Sequence, residues 1–213
     1  MRWPAKTRLL AIDCNMPMIR NVWPGNQLAR AEAVCADWRM MPIADESCDV
    51  VVGDGCFVTL GYPEYDAVNR QLRRVLRPTG AVVLRFFIRP DTPETVAAVF
   101  NDLRAGRIGN FHVFKWRLAA ALQRDLKAGV RIADVGNAWT KAFPDPDAIA
   151  RQLGWSTEII HSMDSWHESS NRCTFPTLNE LRDAFSPYFL EKACHHPNYE
   201  LGDRCPILLM EPR

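Results

Sequence analysis

Short apolar runs and helical stripes alternate along the first ninety residues. Leu9–Ile12 is a strand-like run that ends on Asp13, and Met16–Trp23 reads as a short helix closing near Pro24-Gly25. Ala33–Ala36 is a second run, ending on Asp37. Asp49–Val52 ("DVVV") is a third, a β-branched run of the kind found in strands covered on both faces. From Pro63 to Leu76, the residues Tyr65, Val68, Leu72, Val75 and Leu76 fall on one helical stripe, and Pro63 suits a first helical turn. The tetrapeptide "RPTG" (Arg77–Gly80) breaks that helix, and Ala81–Phe87 is a fourth strand. Strands separated by helices imply a parallel sheet, so this half is α/β.

The pattern changes after Arg89-Pro90. Thr92-Pro93 caps a helix to about Ala105, Phe111–Leu126 reads as another, and "PDPD" (Pro144–Asp147) opens a shorter one ending at Gly154. Residues 91–176 are expected to be helical throughout. Strand grammar then resumes. Thr177 and Glu180 have capping-box spacing at the head of a helix through Phe185. Phe189–His196 and Cys205–Met210 read as antiparallel neighbours joined by "PNYELGDR". The helical middle is therefore an insertion between residues 1–90 and 177–213 of one α/β domain.

Composition narrows the classes. The 213 residues are 47% hydrophobic, enough for one substantial core with an appended subdomain. With 26 basic against 25 acidic residues the net charge is +1, which favours neither a nucleic-acid nor a membrane partner. No apolar run approaches the roughly 18 residues that span a bilayer. The seven cysteines form no C-x-x-C pair, which fits reduced thiols in a cytoplasmic protein.

Candidate chemistry gathers at strand ends, where open parallel sheets bind ligands: Asp13-Cys14-Asn15, Asp37-Trp38 and Gly53-Asp54-Gly55-Cys56. A carboxylate there matches a ribose diol or an exocyclic amine, although an Asp also caps helices often. Three segments, "LLAIDCNMPMI", "AVCADWRMMPIADESCDVVVGDG" and "LRRVLRPTGAVVLRFF", resemble in order and spacing the class I S-adenosylmethionine-dependent methyltransferases. The match covers residues 8–90 well and 177–213 more loosely. The resemblance implies a Rossmann-like sheet, mostly parallel with a C-terminal antiparallel hairpin, and a helical insertion after the family's fifth strand. It implies S-adenosylmethionine as cofactor, with Asp13 as ribose ligand, Asp37 as partner of the adenine amine and Trp38 as a backbone contact to the ring. It also places the Gly53–Cys56 turn beneath the cofactor. Met16 and Met18 either pack on the adenosine or fill a core. A small-molecule methyl acceptor is expected. If a general base is needed, Asp54 is the first candidate, with His112 or His167 approaching from the insertion.

One departure stands out. The family's first strand and glycine-rich loop should precede Asp13 by about twenty residues, whereas only Met1–Ile12 precede it and none is glycine. Either that segment belongs upstream of Met1, the favoured reading, or the flanking strands have closed the gap and the cofactor site is degraded. The rival function is accordingly a catalytically inactive methyltransferase-like binding module. A nicotinamide-dependent oxidoreductase also fits an Asp after the second strand, but "CADWRMMPIADESCDVVV" opposes it. An open sheet edge would favour a homodimer.

Three further groups have competing explanations. Cys194 and His196 can share a strand face but His195 cannot, and neither Cys205 nor the pair His161 and His167 completes a convincing metal set. Arg70, Arg73, Arg74 and Arg77 form a basic helix side that reads as a solvated face. Phe111, Phe114, Trp116, Trp139 and Trp166 line either an acceptor pocket or the core of a helical cap.

Overall fold

A computed structural model describes residue 4, residues 6–23 and residues 30–213. The turn expected at Pro24-Gly25 lies outside the described residues. Strand β1 (Leu9–Asp13) leads into helix α1 (Met16–Val22), and β2 (Ala31–Cys35) pairs with β1 in parallel, Asp13 opposite Cys35. Strand β3 (Cys48–Asp54) is followed by α2 (Tyr65–Val75), whose Tyr65, Val68, Leu72 and Val75 are the buried positions of the expected stripe.

Strand β4 (Leu76–Arg85) begins at once, five residues before the expected start. Register explains the difference. Leu76 pairs with Cys48 and Ala81 pairs with Val50, so Arg77–Gly80 bulges out of a strand already under way. A Cβ on Gly80 would sit 3.0 Å from the carbonyl oxygens of Arg77 and Asp49, so the bulge needs glycine there.

The insertion holds α3 (Val96–Arg104), α4 (Phe111–Leu122), α5 (Ile132–Ala142), α6 (Pro146–Leu153) and α7 (Thr157–His161). Thr95 rather than Thr92 caps α3, and Asp145 caps α6, which ends on Gly154 in the left-handed conformation. Contrary to the all-helical expectation, β5 (Val130–Arg131) and β6 (Arg172–Cys173) pair as a two-residue antiparallel bridge that ties the middle of the insertion to its C-terminal end. Helix α8 (Leu178–Phe185) carries the expected capping box. Strands β7 (Phe189–His195) and β8 (Ile207–Pro212) pair antiparallel.

The sheet itself is a correction. The described strands form a two-stranded parallel sheet, β1-β2, and a separate mixed four-stranded sheet in the order β3-β4-β8-β7, not one mostly parallel sheet. Parallel pairing stops at β4, because β8 runs antiparallel to it. β1 and β3 do not pair with one another, as strands that had closed on each other would.

Two cores result. One packs the four-stranded sheet against α2 and α8 through Val82, Leu84, Leu208, Met210 and Phe189, all no more than 2% exposed. The other lies within the insertion around Phe111, Phe114, Leu118, Val135 and Trp139. Each such side chain contributes roughly 1.5–3 kcal/mol on burial. Trp116 of α4 stacks on Phe87, two residues past the end of β4, with ring centroids 4.7 Å apart and planes at 19°, so both rings pack against the insertion core. No helix among the described residues is long and apolar enough to cross a membrane.

Candidate functional site

Asp13, Asp37 and Asp54 stand at or just beyond the carboxyl ends of β1, β2 and β3. The chain turns sharply after β1 because Asp13 Oδ1 accepts from the Asn15 amide at 2.7 Å, while Asn15 Oδ1 accepts from the Met18 amide at 3.0 Å and caps α1. Asn15 thus serves the helix, and among the described residues Asp13 Oδ2 has no protein donor. Cys14 is exposed, and the Cys35 thiol lies 3.5 Å from its carbonyl oxygen. Met16 and Met18 are 40% and 50% exposed, which excludes the core-filler reading.

Asp37 is already occupied. Its Oδ1 accepts from the Arg39 amide at 2.8 Å, and both oxygens take the Arg39 guanidinium, which also reaches Glu64. The side-chain hydrogen bonds from Arg39 hold the Asp37 carboxyl below the usual range. The Trp38 indole donates to the Ile12 carbonyl at 2.8 Å. Ladder bonds to β2 use Leu9 and Asp13, so the carbonyl of Ile12 faces away from β2. Trp38 therefore caps the free edge of β1 and rests on the main core.

Around β3, Gly55 adopts φ +64° and sits under Phe87. Both Asp54 oxygens take Arg85, at 2.5 and 2.9 Å, and Arg85 donates on to the Tyr199 hydroxyl at 2.7 Å. With both Asp54 oxygens engaged, proton abstraction by Asp54 requires Arg85 to move. Burial pushes the Cys56 thiol up to about 11, so it is no nucleophile near neutrality. Arg39, Glu64, Arg85 and Tyr199 are site residues that sequence reasoning did not name. Only register and loop placement bring them to the carboxylates.

Other candidates fall elsewhere. His167 contacts Thr140 and Asn137, both in the insertion, and His112 is an exposed residue of α4. Of the five aromatics, Phe111, Phe114 and Trp139 belong to the insertion core, whereas Trp116 and Trp166 pack at its margin. Beside Trp116, between insertion and sheet, is a cavity of about 10 Å³, room for one water. Arg70, Arg74 and Arg77 pair with Asp66, Asp45 and Asp49, and Arg73 donates to the Arg213 carbonyl. The Cys194 thiol lies 3.5 Å from His196 Nε2, as their shared side of the strand end allows.

This geometry fits the adenosine half of a nucleoside cofactor: a carboxylate with one oxygen that has no donor among the described residues at one strand end and a second carboxylate at the next.

Residues 2–84 match the family described as "Methyltransferase domain". A demethylmenaquinone methyltransferase of Roseiflexus castenholzii is 28% identical over 158 residues, covering 73% of this chain and 60% of the relative. The chain thus spans three-fifths of that protein's length. Among solved structures, a Pyrococcus horikoshii protein superposes with a TM-score of 0.57 at 16% identity, covering 98% of this chain and 73% of the other. A SAM-dependent methyltransferase of Methanosarcina mazei does so with a TM-score of 0.51 at 15% identity, covering 95% and 80%. Residues 2–84 are thus similar to a methyltransferase domain, and the fold of the chain is similar to that of a SAM-dependent methyltransferase.

Proposed function

We propose that the chain binds S-adenosylmethionine through its adenosine half and serves methyl transfer to a small-molecule acceptor. The observation that supports this most directly is the placement of Asp13, Asp37 and Asp54 at successive strand ends, where open α/β sheets bind ligands. The cofactor supplies an electrophilic methyl group on a sulfonium. Asp13 offers Oδ2 to the ribose. Asp37 accepts from the adenine amine once Arg39 turns to Glu64, and the Trp38 backbone flanks the base. The turn Gly53-Asp54-Gly55-Cys56 forms the floor, where Asp54 pairs with Arg85, which also donates to the Tyr199 hydroxyl. In-line displacement draws its rate from alignment and from excluding water, which suits a site closed by the insertion. The relative from Roseiflexus makes demethylmenaquinone the first acceptor to assay. The seven free cysteines agree with a reducing, cytoplasmic setting.

A binding module without catalysis is the second reading, favoured by the separation of β1-β2 from β3-β4. Calorimetric titration with S-adenosylhomocysteine tests the cofactor reading. Micromolar binding is expected. Asp13→Ala or Asp37→Ala should weaken it by about 1–3 kcal/mol, roughly 5–150-fold, with little change in melting temperature. No heat with the parent chain, or variants that melt early yet bind normally, would show that these carboxylates serve only the fold.

A further inference from the structure

Of the seven cysteines, Cys14 and Cys35 are the exposed ones; Cys173 and Cys205 are buried and the other three are half-buried. The two exposed thiols belong to one place in the fold, the carboxyl end of the β1-β2 pair. Cys35 closes β2 directly opposite Asp13, and Cys14 follows Asp13. Strand spacing and rise put their Cα atoms about 6 Å apart, within the span of a disulfide. Cys35 Sγ lies 3.5 Å from the Cys14 carbonyl oxygen, so its sulfur already meets the Cys14 peptide.

In a continuing strand Cys14 would face the side opposite to Asp13 and Cys35. It lies instead in a bend, closed by the Asn15 amide on Asp13 Oδ1 at 2.7 Å, where strand alternation no longer sets the side-chain direction. Competing thiols are poorly placed for oxidation. Burial pushes Cys56 and Cys173 up to about 11, which removes the thiolate that an oxidant needs.

We propose that hydrogen peroxide converts Cys14 and Cys35 to a reversible disulfide, and that this bridge weakens cofactor binding at the neighbouring carboxylates. The second half rests on the adenosine reading of the site. One thiolate attacks a peroxide oxygen; an S–O bond forms, the O–O bond breaks, and hydroxide leaves as water with the thiol proton. The other thiolate then attacks the sulfenyl sulfur; S–S forms, S–O breaks, and a second water leaves with the second proton. One peroxide is reduced and two sulfurs are oxidised. Because Cys35 Sγ meets the carbonyl side of Cys14, the Cys14 peptide must turn to bring its own sulfur across. Asp13 and Asn15 flank that peptide, so the turn that aims Asp13 and caps α1 changes with it.

Intact mass, peptide mapping and calorimetry, before and after one equivalent of hydrogen peroxide, test this. The parent chain should lose two hydrogens, about 2 Da, with the Cys14 and Cys35 peptides joined, and dithiothreitol should reverse the change. Affinity for S-adenosylhomocysteine should fall at least about tenfold on oxidation and recover on reduction. Cys35→Ser should form no bridge and show no such fall, whereas Cys194→Ser should respond like the parent. If Cys35→Ser does not fold, Cys14→Ser takes its place. Added oxygen without a bridge, a bridge through other cysteines, or covalently linked dimers would overturn the proposal. So would a Cys14–Cys35 bridge that leaves affinity unchanged. A reduced chain that gives no heat with S-adenosylhomocysteine defeats the adenosine reading instead, and the peptide map alone then decides the bridge.

Discussion

Gly55→Ala should destabilise the protein more than Gly53→Ala, the other glycine at the end of β3. Gly55 adopts φ +64°, a region that costs an L-residue about 1–2 kcal/mol. A Cβ there would also lie 2.5 Å from Phe87 Cε2, so the ring must move. It has little room to do so. Trp116 stacks on it at 4.7 Å and the Arg85 guanidinium lies 5.5 Å from its centroid. Losing the Phe87–Trp116 stack adds about 0.5–1.5 kcal/mol. The sum is about 1.5–3.5 kcal/mol, or roughly 3–14 °C in melting temperature for a chain of this length. Gly53→Ala is the comparison. Its Cβ would meet the ends of two side chains, Leu84 Cδ2 at 2.7 Å and Cys56 Sγ at 2.8 Å, without a positive φ. It should cost only about 1 kcal/mol. Urea denaturation with tryptophan fluorescence reads both stability and the Trp116 environment. A Gly55→Ala protein within about 0.5 kcal/mol of the parent, or one less perturbed than Gly53→Ala, would refute the reasoning.

Thr177→Ala removes the acceptor for the Glu180 amide and should cost about 1 kcal/mol in chemical denaturation. Glu180→Ala should cost more, because Glu180 also accepts from the Thr177 amide and from Arg89. His161 lies between Asp164 and Asp147, whose hydrogen bonds raise its pKa above the usual value. Its contribution is therefore fully present below about pH 6.5 and is lost as pH rises through the folded pKa. The stability difference between parent and His161→Gln should accordingly shrink from about pH 5.5 to 8.5, and a constant difference would contradict that linkage.

Local pattern carried much of the fold. The α2 stripe, the Thr177–Glu180 capping box, the Asp145–Gly154 bounds of α6 and the terminal hairpin are short-range features, written in residues a few positions apart. Boundaries that depend on a partner strand were less legible. "RPTG" looks like a break because proline and glycine punctuate local structure, yet pairing with β3 admits it as a bulge. The site divides in the same way. Asp13, Asp37 and Asp54 could be placed at strand ends by run length alone, whereas their partners could not. Arg39 reaches Asp37 and Glu64 together only because the loop after β2 folds onto the start of α2. Tyr199 reaches Arg85 across 114 residues.

The sequence by itself determined the alternation of elements, the acidic strand ends and the family resemblance, because each rests on side-chain periodicity or spacing within a few dozen residues. Tertiary structure alone decided that β1-β2 stands apart from the four-stranded sheet and that Arg39 and Arg85 occupy the carboxylates. It also decided which face of the four-stranded sheet packs under α2 and α8. The "DVVV" run shows why. β-branched residues promise a strand wherever they occur, but whether both faces are covered depends on what packs over them from elsewhere in the chain or from another one.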